Sequence, residues 1–544
     1  MRLVNVGFRG FMAKAGCRER SCQWLCAALL ALAVGGCQGG ASKDPGVIGS
    51  IEGFAGAAVA DDPRAVVAAR DVLVAGGSAA DAAVAIYFTL AVTLPSSAGL
   101  GGGGVCLVHE PGAERPIALD FLPRAAADGS FGLPGNVRGM AVLQSKYGRL
   151  KWSQLLGPAE DLARGSSTSR ALAHDLATAG TALLDDAEMG RIYGRADGSI
   201  ADAGDGLQQL DLAATISQIQ RDGAGAFYGG PLSLRLASGA QSIGVPLEGG
   251  VLRAVQAQTV DALTVNVGER AAYFAPPPAD GGLLRAELLA LLLQGGVYAA
   301  AADPERPHLL VEATKRAFAD HGSWSQAGGG AAAAALLVPG HLQSLMQGYN
   351  PGAASAIDAP AAAAASEGED PGSSGFVVAD RDGLAVACEV TMNRLFGVRR
   401  VVPGTGVVLA APPAQSGMPL GPMMAVSPQR ESVDFAATAS GGSAGASALV
   451  SVFLDSALRG RSLDDALAAK RVHDSGAPDT VLYEEGTEEA VVAGLSQRGH
   501  AVQPSGPLGQ VNALWCPDGL PSHPGSCQAR NDPRATGLAV IQGN

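Results

Sequence analysis

Two glycine-rich segments of the sequence could present backbone N–H groups to a negatively charged group. One is the run GLGGGG at residues 99–104, and the other is ASGGSAG, in which Gly441 and Gly442 stand before a predicted helix. Backbone donors ahead of a helix suit a developing negative charge, although a tight strand-to-helix turn would need the same glycines. The run at 99–104 could cradle a phosphate. No Lys-Ser/Thr pair follows it, which disfavours a nucleotide-binding enzyme.

The eight cysteines fall into an N-terminal group and two later pairs. Four of them, ending with Cys37, lie within the first 37 residues. Cys106 and Cys388 lie in apolar, strand-like segments, where buried free thiols are expected. Cys516 and Cys527 flank the turn CPDGLPSHPGSC, and in an exported protein this spacing predicts a disulfide. No CxxC pair or histidine cluster has metal-ligand spacing, so the sequence predicts no metal.

The N-terminus predicts export and lipid anchoring. An apolar run at residues 25–36 follows Lys14, Arg18 and Arg20; it is too short to span a bilayer comfortably and is typical of a signal peptide. It ends in Ala-Val-Gly-Gly-Cys37, which resembles a bacterial lipobox, so we expect a lipoprotein-type signal over residues 1–37. The alternative is ordinary cleavage nearby. Gln38 then favours a periplasmic lipoprotein of the outer membrane, with residues 38–55 as a tether and the lipid as the only membrane contact.

The composition bounds the class of protein. The chain has 544 residues, of which 47% are hydrophobic and 16% are charged, so a large core is expected. Its 38 basic and 51 acidic residues give a formal net charge of −13. A nucleic-acid surface would need clustered Lys and Arg, which this balance disfavours.

The elements that must position any site form two regions. Helices are predicted over residues 64–75, from Ser78 or Asp81 onward, over much of 152–240, and over PHLLVEATKRAFADHG. A low-complexity tract at 326–372 ends in a predicted exposed connector. Strands then dominate, beginning with a hairpin at the Asp-Gly turn of GFVVADRDGLAVACEVTMN. Further predicted strands are VVPGTGVVLA, VDFAATAS, TVLYEE and LAVIQ, and the predicted helices between them are GASALVSVFLDSALRG and SLDDALAAKRVH.

A series of segments, in one order over most of residues 56–540, resembles the γ-glutamyltransferase (γ-glutamyltranspeptidase) family of N-terminal nucleophile hydrolases, with this chain as a divergent member. The resemblance implies a four-layer αββα sandwich. It also implies a precursor that cuts itself into a large-subunit-like region, 56–372, and a small-subunit-like region, 373–544. The matching segments are GGSAADAAVA, LPSSAGLGGGG, LDLA, FYGG, PPPADGG, HLLVEATKRAFAD, TMNRLFG with PGTGVVL, and GH with DPRATG.

The resemblance also implies roles for particular residues. The family's Thr-Thr-His nucleophile segment falls on Ser373-Ser374-Gly375, which makes Ser373 the implied nucleophile after a cut behind Gly372. A free α-amine titrates near 7.7–8, so the new N-terminus can serve as the base for its own hydroxyl. The alternative is that both serines are linker residues entering a strand.

Further positions match the family around that nucleophile. Thr391 matches a catalytic position, and Ser374 and Asn393 match positions that contact the substrate. Gly441 and Gly442 match the glycines of the oxyanion hole. No cofactor is expected, and His321, His473 and His500 are expected to be structural, since this chemistry needs no histidine base.

The substrate-binding motifs depart from the family pattern. The Arg that clamps the substrate carboxylate is replaced by Leu122, with Arg124 two residues on as a substitute. PLSSM becomes PLGPM, which places Gly421 and a proline where two serines would bind. The Asn-Asn…Asp loop becomes AAPPAQ, with Gln415 near the Asp position. Each lost charge-assisted hydrogen bond removes about 1.5–3 kcal/mol, so a zwitterionic glutamyl end loses much of its recognition.

Two functions remain open from the sequence. One is a γ-glutamyltransferase-like amidase or acyltransferase, acting on γ-glutamyl compounds or on a less polar acyl amide. Its partners would be a small-molecule or peptide amide and its own second fragment. The other is an inactive, unprocessed envelope protein that keeps the fold for binding or scaffolding. Self-cleavage discriminates between them, because an uncut chain leaves Ser373 without its amine.

Overall fold

The computed structural model describes residues 53–324, 330–357, 372–413 and 420–543. Its first sheet has seven strands in the order β20-β1-β9-β10-β2-β3-β6, and every neighbouring pair is antiparallel. These strands are β1 (Gly56–Ala60), β2 (Gly103–His109), β3 (Ile117–Asp120), β6 (Gln258–Asp261), β9 (Ser373–Asp380), β10 (Ala385–Thr391) and β20 (Leu538–Gln542).

The second sheet has six strands in the order β19-β18-β14-β13-β8-β7, again antiparallel throughout. They are β7 (Leu263–Val267), β8 (Arg270–Phe274), β13 (Met423–Ser427), β14 (Ser432–Ser440), β18 (Gln510–Leu520) and β19 (Gln528–Arg530). Shorter pairings join β4 (Ser166–Ser167) to β5 (Gly206–Leu207), β11 (Val401–Val402) to β12 (Val407–Val408), and β15 (Val472–His473), β16 (Val481–Glu484) and β17 (Val502–Ser505) into a small third sheet.

Alternate side chains of a strand point to opposite faces of its sheet, and this alternation separates the layers. Along β9, Val377 and Ala379 pack into the apolar cluster between the two sheets, while Phe376 and Val378 pack into the cluster beneath the first helical layer. A third cluster joins the second sheet to the other helices. Helix, sheet, sheet and helix therefore follow one another, which confirms the predicted αββα sandwich.

The first helical layer covers the first sheet. Its helices are α1 (Pro63–Val74), α2 (Ala79–Thr93), α3 (Pro95–Ala98), α4 (Asn136–Tyr147), α5 (Trp152–Leu155), α6 (Gly157–Arg164), α7 (Arg170–Ala179), α8 (Ala187–Tyr193), α9 (Leu210–Asp222), α10 (Gly225–Gly229), α11 (Pro231–Ser242) and α12 (Gly249–Ala254).

The second helical layer packs on the second sheet. The stretch Asp280–Ala300 is long and apolar enough to cross a membrane, but most of it is buried in this layer. The helices are α13 (Asp280–Leu293), α14 (Val297–Ala300), α15 (Arg306–Trp324), α16 (Gly330–Leu336), α17 (Pro339–Leu345), α18 (Ala444–Ala457) and α19 (Leu463–Ala468). Helix α20 (Glu489–Gln497) packs instead against α15 and the small third sheet.

The start of α2 shows how local sequence sets an element. Ser78 accepts a hydrogen bond from the amide of Asp81, and the Asp81 carboxylate accepts one from the amide of Ser78, which is a capping box. The same carboxylate oxygen accepts from the amides of Arg149 at 2.7 Å and Leu150 at 3.0 Å. This buried side chain therefore starts the helix and also holds the segment after α4.

Several sequence predictions need correction. Cys106 and Cys388 are not free thiols: they lie directly opposite each other on β2 and β10, with Cα atoms 4.0 Å apart, and form a disulfide. The structure also joins Cys516 to Cys527, the pair predicted from the turn between them. Only Leu463–Ala468 of the predicted helix SLDDALAAKRVH is helical, and His473 lies in β15.

The two predicted regions share one architecture. Strands β9, β10 and β20 come from residues 373–544, and β1, β2, β3 and β6 come from residues 56–372, yet all seven lie in one sheet. The described residues belong to one compact unit, Ser50–Asn544. The boundary at 372/373 stays a prediction, and most of the predicted connector at 361–372 lies outside the described residues, as do Cys37 and the whole predicted signal.

Candidate active site

Ser373 is the first residue of β9, in the middle of the first sheet. In the register, Ser373 pairs with Thr391 of β10, which pairs with Gly103 of β2 at the end of the GLGGGG turn. Ser373 is partly exposed, whereas Ser374 is buried. The predicted hairpin thus brings together the two candidates Ser373 and Thr391, which are 18 positions apart in the chain.

Gly372 holds a conformation that only glycine tolerates here. Its φ is 59°, and a side chain at this position would collide with the backbone of Arg394 and Leu395. Its carbonyl oxygen accepts two hydrogen bonds, one from Thr391 Oγ1 at 2.9 Å and one from the amide of Met392 at 3.0 Å. Two donors on one carbonyl polarise its carbon toward attack.

A buried polar cluster supports the next two residues of β9. Asp61, just after β1, accepts hydrogen bonds from Ser374 Oγ at 2.7 Å, the amide of Gly375 at 3.0 Å and Asn512 Nδ2 at 2.7 Å. Burial raises the pKa of Asp61, although these three donors each oppose that shift. The hydroxyl of Ser374 is therefore engaged by Asp61, a contact different from the substrate contact implied by the resemblance.

Asn393 lies just beyond β10, at the same open end of the hairpin as Ser373, and has one unused acceptor among the described residues. Its φ is 61°, its amide donates to Thr391 Oγ1 at 2.8 Å, and its Nδ2 donates to the carbonyl of Ala411 at 2.8 Å. Its buried Oδ1 has no hydrogen-bond partner among the described residues. An unpartnered buried acceptor suits a cationic or N–H group, such as a substrate amine or a new N-terminus.

Gly441 and Gly442 form the turn between β14 and α18. Their φ values of 91° and 66° need glycine, and Gly441 packs against Gly509. In the described part of the chain, the amides of Gly441, Gly442 and Ser443 have no backbone acceptor. Thr438, shortly before the turn, lies so close to Gly375 that a side chain there would collide with it. The Gly441–Gly442 turn therefore comes a few residues after the part of β14 that lies against the start of β9.

An ion pair fills the space between the sheets near this end. Arg285 of α13 donates to Glu389 of β10 at 2.7 Å, and both side chains are almost fully buried. Arg285 also donates to the carbonyl of Gly421, and Glu389 accepts from the amide of Gly421 at 2.7 Å. Glu389 accepts from the amide of Ala439 at 2.7 Å as well. The backbone at 421 is thereby fixed to this pair, where the resemblance would place a substrate-binding serine.

The other positions that the resemblance assigns to substrate binding lie in different environments. Leu122 is buried in the cluster between the sheets, so it presents no polar group. Arg124 is exposed and pairs with Asp120, and the loop before it packs against Gly103. Its role as a substitute clamp stays a prediction. Gln415 lies outside the described residues.

The sequence did not identify four residues of this site. One is Asp61: its neighbour Asp62 caps α1, which leaves the Asp61 carboxylate to bind β9. Asn512, Arg285 and Glu389 were not singled out. Two signals were available in the sequence: Glu389 lies inside the apolar strand AVACEVT, and Arg285 lies inside the apolar helix LLRAELLALLL. Because buried charges are almost always paired, each of them indicated a buried partner.

Two groups of side chains lie within metal-ligand distance of one another, although no motif in the sequence has metal-ligand spacing. In the first, His308 Nδ1 lies 2.7 Å from His500 Nε2, while the Glu312 carboxylate binds Arg316 and Ser355. Those contacts account for each group without an ion. The second consists of Glu287, Asp320 and His341.

In this αββα sandwich, a serine hydroxyl stands at the start of a central strand, and the carbonyl just before it accepts two hydrogen bonds. This is the architecture of an N-terminal nucleophile hydrolase. A sequence model of the family described as Gamma-glutamyltranspeptidase matches residues 65–415 and 412–541. The chain belongs to this family, as the sequence segments implied.

Named relatives agree with that membership. The chain is 26% identical over 520 residues to the "Glutathione hydrolase proenzyme" of Escherichia coli, covering 84% of this chain and 88% of that one. It is 30% identical over 390 residues to the "Oxamate amidohydrolase proenzyme" of Klebsiella pneumoniae, covering 65% and 70%. The crystal structure of a cephalosporin acylase from Bacillus halodurans superposes with a TM-score of 0.77 at 19% identity, covering 93% of this chain and 99% of that one, which shows the shared fold.

Proposed function

We propose that the protein is a self-activating amidase or acyltransferase in which Ser373 becomes the N-terminal nucleophile. One observation carries this proposal: the carbonyl of Gly372 is held by two donors, Thr391 Oγ1 and the amide of Met392, directly before a serine.

Self-cleavage follows from this arrangement. Ser373 Oγ attacks the carbonyl carbon of Gly372, and the two donors stabilise the resulting oxyanion. The C–N bond breaks, and the nitrogen of Ser373 takes up the proton released by the hydroxyl. Water then hydrolyses the ester, which leaves a carboxylate on Gly372 and a free amine beside the hydroxyl of Ser373.

Turnover would use the same hydroxyl on a substrate amide. The neutral amine of Ser373 accepts the hydroxyl proton as Oγ attacks, and the amides of Gly441 and Gly442 receive the oxyanion. The leaving amine takes the proton, and water or an acceptor amine releases the acyl group. The resemblance implies these steps, because family members that hydrolyse glutathione-like compounds use them.

The acyl substrate is proposed to be a γ-glutamyl compound or a related amide, with the less zwitterionic amides favoured. Leu122 is buried and apolar, and the backbone of Gly421 is engaged by Arg285 and Glu389. The Oδ1 of Asn393, which has no hydrogen-bond partner among the described residues, remains for an amine or amide N–H. The relative named for oxamate supports a change of amide within the family.

A second candidate function is an uncut protein that keeps the fold for binding. It is favoured by the same loss of ionic substrate contacts and by Gly375, which replaces the family's histidine. The cut itself separates the two functions.

The deciding experiment is intact mass and N-terminal sequencing of the purified protein. A fragment of 172 residues (544 − 372) that begins at Ser373 is expected from the wild type. Ser373→Ala should stay uncut, whereas the matched neighbour Ser374→Ala should still be cut. An uncut wild type would contradict the enzyme proposal and support the binding one.

We further propose that the protein is exported and anchored through a lipid on Cys37. The two disulfides support an oxidising compartment. Mass spectrometry of the mature N-terminus should find a diacylated or triacylated cysteine, and Cys37→Ser should abolish it. A mature chain that begins elsewhere without lipid would overturn this assignment.

A further inference from the structure

His473 lies behind the turn that carries the candidate oxyanion amides. It belongs to β15, it is 3% exposed, and its ring contacts two serines of the segment that begins α18. Nε2 lies 3.1 Å from Ser443 Oγ, and Nδ1 lies 3.0 Å from Ser447 Oγ. Ser443 follows Gly441 and Gly442 directly.

The partners fix where the protons lie. Ser447 Oγ donates its own proton to the carbonyl of Ala444 at 3.1 Å, so it accepts from Nδ1–H of His473. Nε2 then carries the lone pair and accepts the hydroxyl proton of Ser443. Burial lowers the pKa of His473 to about 4, which keeps the ring in this neutral form at ordinary pH.

This arrangement changes what the residue before the helix does. A serine at an N-cap normally accepts a hydrogen bond from an amide of the first helical turn. Ser443 is the N-cap of α18, yet its side chain makes no capping bond. Its hydroxyl is instead turned toward His473, so this contact ties the residue next to Gly441 and Gly442 to the buried ring.

We propose that His473 is a positioning residue: through Ser443 it holds the Gly441–Gly442 turn, whose amides have no backbone acceptor among the described residues, in place to receive an oxyanion. The inference rests on the proposed function, because it assigns the histidine to the turnover step. Self-cleavage uses different donors, Thr391 Oγ1 and the amide of Met392. The two steps should therefore respond differently to changes at His473.

A matched pair of substitutions separates the two contacts of the ring. His473→Gln places an acceptor near the position of Nε2 and keeps the contact with Ser443. His473→Asn places a donor near the position of Nδ1 and keeps the contact with Ser447. If the link to Ser443 positions the turn, the Gln variant should retain activity and the Asn variant should lose it.

The assay measures kcat and KM with γ-glutamyl-4-nitroanilide and with 4-nitrophenyl acetate, an activated ester that needs no ionic clamp, and subtracts the Ser373→Ala background. His473→Asn and Ser443→Ala should lower kcat about tenfold with little change in KM, as expected for a displaced donor. His473→Gln should stay within about threefold of the wild type. All three variants should cut themselves at the wild-type rate.

The outcomes distinguish this inference from the proposed function. Equal losses in the Asn and Gln variants, unchanged kcat in Ser443→Ala, or self-cleavage that falls in parallel with kcat would each overturn the positioning role in an active enzyme. A wild type that is neither cut nor active would overturn the proposed function itself, and the role of His473 would fall with it.

Discussion

At the scale of single residues, Gly372 carries the sharpest constraint near the implied cut. Its left-handed backbone and the contact with Arg394 and Leu395 leave no room for a Cβ. Gly372→Ala should therefore move the carbonyl off its two donors, and self-cleavage should slow at least about tenfold. Intact mass measured over time on freshly synthesised precursor checks this.

The matched control is Gly404→Ala. Gly404 has a similar φ of 70°, but a Cβ there meets nothing within 4 Å. This variant carries the same kind of backbone strain, about 1 kcal/mol, without the collision, and it should be cut at the wild-type rate. Equal slowing in both variants would mean that general destabilisation, rather than the held carbonyl, governs the cut.

The buried ring of His473 also makes stability depend on pH. Its pKa falls from 6.5 in the unfolded chain to about 4 in the fold, so the unfolded state binds the proton first as pH falls. The stability that the neutral ring contributes is complete above pH 6.5 and is lost as pH falls through 4, by on the order of 3 kcal/mol. Urea unfolding of wild type and His473→Gln should show a difference that shrinks from pH 7 to pH 4. A constant difference would contradict it.

At the scale of elements, Asp81 ties two segments together. Its carboxylate accepts from the amides of Ser78, Arg149 and Leu150, and it is fully buried. Asp81→Ala leaves three main-chain donors unsatisfied, so a loss of roughly 3 kcal/mol or more is expected. Ser78→Ala removes one capping bond and should cost about 1 kcal/mol. Urea unfolding compares the two, and equal losses would contradict the tie between α2 and the segment after α4.

Local sequence predicted the elements whose signals are local. The start of α2 at Ser78, the Asp-Gly hairpin of β9 and β10, and the closing strand β20 were all visible in residue order. Helix SLDDALAAKRVH was predicted too long, because its second half enters β15, a pairing with β16 that residue order does not show.

The parts that sequence could not predict are long-range contacts. Asp61 binds Ser374 across 313 positions, and Cys106 meets Cys388 across 282. Nothing in either local pattern says which strands are neighbours. The resemblance supplied the register of Ser373, Thr391 and Asn393, but Arg285 and Glu389 depart from simple apolar patterning and needed the structure to show that they pair.

At the scale of the whole molecule, the two predicted fragments are interleaved. In the first sheet, β9 and β10 lie between β1 and β2, and β20 pairs with the outer side of β1. A cut at 372/373 therefore leaves each fragment holding strands on both sides of the other. Gel filtration of the cut Cys388→Ser protein, in which no disulfide joins the fragments, should still give one species containing both, and separate elution would contradict the interleaved sheet.

The disulfide between Cys106 and Cys388 crosses the implied cut, since one cysteine precedes residue 372 and the other follows it. The cut protein should run as one band on a denaturing gel without reductant and as two bands with it. Cys388→Ser should give two bands in both lanes. A two-band pattern for the wild type without reductant would contradict the bond.

Such a bond changes what subunit assembly means for this protein. Two chains joined only by contacts have a dissociation constant, and dilution separates them. Two chains joined by a sulfur–sulfur bond have none, so the cut protein would remain one molecule at any concentration. The two halves of the active site would then stay together at any dilution.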